Sequence, residues 1–188
     1  MNILLIAIGS LIILAIIAAV IYNRYVKLKN LNEEGFHEIG ICLQKRLDLI
    51  PGLINVAKGY ALHEKETLEN VIKLRSQMEI IDKKNIDNIE KIKKIENETE
   101  KTLNSIMILQ ENYPDLKANE NFLKLQTQLM QIETEIQRSR RYYNGTARDR
   151  NTFVETFPNN FIGKILGFKK SKFLEITDKA EKTPEIKF

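Results

Sequence analysis

Glu34 and His37 stand three residues apart, the Glu-x-x-His spacing by which facing helices hold carboxylate-bridged di-iron centres. Such a centre needs a second copy of the motif on another helix. The other histidine, His63, has Tyr60 at that spacing, so the second half is missing and no metal is expected. His63 reads instead as part of a helix start, ahead of Glu64 and Glu66, whose charges favour an N-terminus. Cys42 is the single cysteine, so it cannot form an intramolecular disulfide and leaves the redox compartment open. It has no histidine partner positioned in sequence and reads as a small core side chain. Neither a serine in an elbow-type turn nor a glycine-rich phosphate loop is present, so catalysis and cofactors are not expected.

Two constellations remain. Arg138, Arg140, Arg141, Arg148 and Arg150 crowd one stretch, but they wrap around a helix and form no single stripe. They either pair internally with acids such as Glu33, Glu34, Glu38 and Asp149 or grip an anionic partner, with Arg140, Arg141 and Arg148 as candidate contacts. Nucleic acid is the weakest partner, since no aromatic interleaving or recognised module accompanies the arginines. The second constellation is Asp48-Leu49-Ile50-Pro51 with Tyr60 and Glu64, a hinge in the plain reading and a docking surface for another membrane protein in the functional one.

Composition supplies the frame for both. The 29 Lys and Arg against 25 Asp and Glu leave a net charge of +4, with the signs mixed along almost every segment, as on solvated helical faces. A local surplus lies in the tail from Pro158, where Lys164, Lys169, Lys170, Lys172, Lys179, Lys182 and Lys187 face Glu175, Asp178, Glu181 and Glu185. That surplus suits anionic lipid headgroups.

The elements that position these residues begin with a run without charge from Ile3 to Ile21, broken only by Gly9 and Ser10. Extended to Asn23 as a helix it covers ~30 Å, the thickness of a bilayer core. A signal peptide would want a basic leading region and a small-x-small cleavage site, and neither is found, so a retained anchor over residues 1–23 is expected. Arg24, Lys27 and Lys29 directly follow the span, which by charge asymmetry places the N-terminus outside and the rest in the cytoplasm.

Beyond the anchor, apolar residues at Tyr25, Leu28, Phe36, Ile39, Leu43, Leu47 and Ile50 recur in steps of three and four, apart from one gap at Asn32. This helix is predicted to stop or kink before Pro51, with a short helical piece from Leu53 to Tyr60 interrupted near Gly59. A heptad seam then runs from Val71, Leu74 and Met78 through Asn85 and Asn88 to Ile92, Ile95, Thr99, Ile106 and Tyr113. Asp82-Lys83-Lys84-Asn85 resembles a turn with a cap, which predicts two helices there in place of one rod. Asn112-Tyr113-Pro114-Asp115 is a turn, and Asn119 caps a further heptad helix through Phe122, Leu125, Leu129, Ile132, Ile136, Ser139, Tyr143, Thr146, Arg150 and Phe153 that ends at Pro158. The apolar residues between Phe161 and Ile176 are expected to fold back over one end of the bundle.

Several blocks in this order resemble the bacterial LemA family: Tyr22-Asn23, the run from Arg46 to Tyr60, His63 to Glu69, Tyr113 to Phe122, Arg140-Arg141-Tyr142-Tyr143-Asn144, Phe157-Pro158 and Gly167-Phe168-Lys169-Lys170. The resemblance covers the whole chain. It implies a single-pass membrane protein with an antiparallel four-helix bundle and no established catalytic residues. Leu47 and Gly52 depart from the family pattern, where His and Asn are expected, and Gly145 lies in the helix after the Tyr-Tyr-Asn block.

The expected protein is all-α: a transmembrane helix over residues 1–23, an antiparallel up-and-down four-helix bundle over 24–157, and a C-terminal segment with a basic tail over 158–188. Residues 3–22 would meet the lipid bilayer, and the bundle would act as a scaffold or interaction surface for another membrane or envelope protein. No nucleic acid and no small-molecule substrate are expected. The alternative function is organisation of the membrane through anionic lipid held by the basic tail.

Overall fold

The computed structural model describes residues 2–59, 65–81 and 88–174, and among these every regular element is a helix. The elements are α1 (Asn2–Ala57), α2 (Lys65–Ile80), α3 (Ile89–Asn112), the single turn α4 (Pro114–Lys117), α5 (Glu120–Glu155) and α6 (Asn159–Leu166). The expected Asp82-to-Asn85 turn and the tail beyond Leu174 lie outside the described residues. Among the described residues α2 ends at Ile80 and α3 starts at Ile89.

Of the two outcomes expected at Pro51, a stop or a kink, the stop is not found. The helix does not stop there: α1 continues unbroken to Ala57, with Pro51 inside it, and closes in a turn at Lys58 and Gly59. An interior proline costs a helix ~3 kcal/mol. Ile50, Leu53, Ile54 and Ala57 around it are fully buried, and each large apolar side chain so covered contributes ~1.5–3 kcal/mol. Tertiary burial therefore outweighs the local break.

The other boundaries follow local chemistry. Pro114 opens α4, where its missing N–H leaves no bond unmade. The Asn119 side-chain oxygen accepts the backbone N–H groups of Asn121 and Phe122 at 3.0 and 3.1 Å and so caps the start of α5. Gly167 ends α6 in the left-handed region (φ 73°), which lets the Phe168 N–H donate to the Gly163 carbonyl at 2.8 Å.

The chain packs as two compact units. The unit over residues 29–142 takes its core from Phe36, Ile39, Leu43 and Leu47 of α1, Val71, Leu74 and Met78 of α2, Ile92, Ile95 and Ile106 of α3, Leu116, and Phe122 and Ile136 of α5. Within it α5 lies antiparallel to α1, since Cys42 meets Ser139 whereas Arg46 meets Glu133. It is antiparallel to α3 as well, with Glu96 against Arg140 and Gln126 against Met107 and Gln110.

The other unit joins the chain up to Leu28 with the chain from Tyr143. Its core is Ile21, Tyr25 and Leu28 of α1, Tyr143, Ala147 and Arg150 of α5, and Ser171 and Leu174 of the irregular segment after α6. The large apolar side chains from Ile3 to Val20 are all bare, between 42% and 85% exposed, so this part of α1 is a run of helix long and apolar enough to cross a membrane.

Candidate functional site

The residues that sequence chemistry singles out fall into three places. In the 29–142 unit, one polar layer crosses the apolar core. The Arg140 guanidinium pairs with the Glu96 carboxylate, and Arg46, 8% exposed, reaches Glu133 at 3.5 Å. Burial pushes the Glu96 carboxyl above the ordinary range, and the positive charges of Arg140 and Arg46 pull it back only in part. Beside this layer the Cys42 thiol lies 3.8 Å from the Ser139 hydroxyl and 4.0 Å from Glu135, whose carboxylate also takes Lys45 at 3.2 Å. Burial, opposed by the Ser139 hydrogen bond, pushes the thiol up, away from the thiolate a nucleophile needs.

The arginine cluster is therefore divided. Arg140 is occupied by Glu96, an acid that the sequence reading does not name. Arg148 is exposed and reaches its neighbour Asp149 at 3.8 Å, and Arg141 and Arg138 point to solvent. Asp48 accepts from Arg75 Nε at 3.0 Å, and the same nitrogen lies 3.3 Å from Glu79, which ties α1 to α2 one turn before the half-buried Pro51. Tyr60 and Glu64 lie outside the described residues. Glu34 and His37 line a shallow hollow with Asn30 and Glu33, all on α1. Among the described residues, no group of three or more His, Cys, Asp and Glu side chains is placed to hold a metal ion.

The third place, in the other unit, was not anticipated from the sequence. Asn151 and Asn144 on α5 each grip one residue of the segment after α6 by both of its backbone groups. Asn151 accepts the Ser171 N–H at 2.7 Å and donates to the Ser171 carbonyl at 2.9 Å. Asn144 does the same to Leu174, at 2.9 and 2.8 Å. Seven helical residues and three extended ones both advance ~10 Å, so the segment between Ser171 and Leu174 must be near full extension to match. The amides act as a neighbouring strand would.

Tyrosines and an arginine complete the clamp. The Tyr143 hydroxyl donates to the Lys172 carbonyl at 2.6 Å. Burial pushes this phenol up to about 12. The Tyr25 hydroxyl accepts from the Lys169 N–H and from Arg150 Nη2, each at 3.0 Å, and Arg150 Nη1 donates to the Ser171 hydroxyl at 3.2 Å. Phe168 stacks on the Tyr25 ring with centroids 3.9 Å apart. The one sequence signal for this clamp is a repeat of seven: Tyr143 and Asn144 recur as Arg150 and Asn151 on one helix face. Nothing in the sequence tells which distant residues such a face would hold.

The arrangement grips chain and fills a core, and its polar groups are directed at one another. Comparison with known proteins identifies the family. The Protein LemA of Metamycoplasma hominis is 30% identical over 108 residues, 57% of this chain and 48% of that protein. The magnetosome proteins MamQ 1 and MamQ 2 of Paramagnetospirillum magneticum are each 27% identical over 73 residues, 39% of this chain and 27% of theirs. The chain thus matches about half the length, or less, of these relatives. The LemA family model itself matches residues 35–188, most of the chain and both ends of the clamp on α5, and on that match the chain belongs to the LemA family.

Proposed function

We propose that this chain is a membrane-anchored helical scaffold of the bacterial envelope, without catalytic activity, that holds a partner protein. The observation that carries the proposal is α1: one helix whose first part bares a long run of apolar side chains without a charge and whose later part, from Phe36 to Ala57, supplies a packed core. A bare apolar run is stable in hydrocarbon and costly in water, so the helix tethers whatever it continues into. Residues 3–22 meet the bilayer, and the cations at Arg24, Lys27 and Lys29 keep the remainder on the cytoplasmic side.

The antiparallel pairing of α5 with α1 and with α3, and the side-chain ties from α1 to α2, support an up-and-down four-helix arrangement for residues 24–157. Its buried arginines are paired, Arg140 with Glu96 and Arg46 with Glu133, which leaves the outer faces for recognition. Arg141 is exposed on the 29–142 unit and Arg148 on the other, and each suits an acidic surface on the partner.

Photo-crosslinking in native membranes tests this, with a benzophenone amino acid at Arg141 or Arg148. Discrete higher-mass adducts are expected; recovery of uncrosslinked monomer alone from every position would overturn the proposal.

A further inference from the structure

α6 is a short helix whose apolar surface is turned outward. Phe161 and Ile165, one turn apart on α6, are 68% and 74% exposed, and Phe157 in the turn just before the helix is 85% exposed, an apolar surface that water penalises and that is not buried against its own unit. What covers it is indicated by where the unit places it along α1.

Arg150 reaches Tyr25, and Phe153 lies against Phe168, which in turn contacts both Tyr25 and Tyr22. Moving up α5 therefore means moving down α1. The two helices rise equally per residue, so Glu155, where α5 ends, stands level with Val20, inside the last turn of the apolar run. Ile21 is the first buried side chain of α1, consistent with cover beginning at this level. Phe157 and α6 follow directly, and Gly163 fixes them there: it lies so close to Phe168 that an added Cβ would sit 2.8 Å from the ring. The depth of α6 is thus pinned to the end of the hydrophobic segment, where Tyr22 also sits half exposed. Exposed Arg24, Lys164 and Lys169 surround this level with positive charge, which suits phospholipid headgroups.

We infer that α6 is an in-plane membrane element, its Phe161 and Ile165, with Phe157 just ahead of them, seated in the headgroup–acyl boundary of the leaflet from which α1 emerges. The inference rests on α1 spanning the bilayer. It differs from a role for the basic tail, because the seat is apolar and lies before Gly167. Its consequence is orientation: a single helix can rotate and tilt freely, whereas a helix joined to an interfacial element beside it cannot.

The chain contains no tryptophan, so single substitutions report without background. Phe161→Trp, Ile165→Trp and Leu14→Trp variants of the full chain would be reconstituted in vesicles of zwitterionic and anionic phospholipid. The lipids would carry bromine either near the top of the acyl chain or near its end, and unchanged circular dichroism would verify folding. Residues 161 and 165 should give blue-shifted emission, quenched more by shallow bromine than by deep; residue 14 should be quenched by deep bromine. If residue 14 is quenched while 161 and 165 emit as in water and are quenched by neither bromine, the interfacial role of α6 is wrong and the span stands. If residue 14 is not quenched either, both fall.

Discussion

Asn144 and Asn151 are the side chains on which the segment after α6 depends, because each satisfies a backbone donor and a backbone acceptor at once. Truncation leaves a part-buried N–H and C=O without their partners, and such a loss costs ~1–3 kcal/mol. Asn151→Ala and Asn144→Ala should each lower the free energy of unfolding by that amount, read as a lower midpoint in urea at unchanged slope. The two together should free residues 168–174 to rapid amide exchange while α5 remains protected.

Tyr143 makes a prediction with a definite sign. Its phenol titrates near 10.0 when unfolded and near about 12 in the folded chain, so the folded state holds its proton more tightly. The associated stability is complete below pH 10 and is lost as pH rises toward 12, amounting to ~3 kcal/mol by linkage. Alkaline unfolding followed by circular dichroism should show this loss, and Tyr143→Phe should remove that part of the pH dependence. None of these roles is legible in sequence. An asparagine on a helix face declares hydrogen-bonding capacity, but its partner, twenty or more residues away, is set by the path of a segment that has no periodicity of its own.

At the scale of elements the sequence is far more informative. The heptad positions Val71, Leu74, Met78, Ile92, Ile95, Thr99, Ile106, Phe122, Ile136, Ser139 and Tyr143 are buried, since a stripe repeating with the helix can satisfy itself only by facing a neighbour, whereas Leu125, Leu129, Ile132, Thr146 and Phe153 of the same pattern are only part-buried and Tyr113 is exposed. Pro51 misleads because a breaker acts locally while Ile50, Leu53 and Ile54 are held by the whole core. The apolar cluster after Pro158 likewise misleads in part: Phe168 and Leu174 pack inward, but Phe161 and Ile165 do not. Two glycines separate packing from propensity. Gly163→Ala places a methyl 2.8 Å from Phe168 and should cost ~1–3 kcal/mol by forcing that ring off Tyr25. Gly145→Ala, in the interior of α5 with nothing within 4 Å, should be neutral or stabilise by up to ~1 kcal/mol. Thermal unfolding of the two variants side by side distinguishes these outcomes.

At the scale of the molecule, the proposal turns on what the first part of α1 does. Several large side chains more than half exposed in a row cannot be kept in water without association, and a bilayer removes that cost along the whole run. The most direct measurement is extraction of cell membranes at alkaline pH, which strips peripheral proteins and leaves spanning ones. The full chain should stay in the membrane pellet, and a chain beginning at Arg24 should be released largely into the supernatant, held back only by the shallow contact of α6. Release of the full chain together with the shortened one would contradict the account.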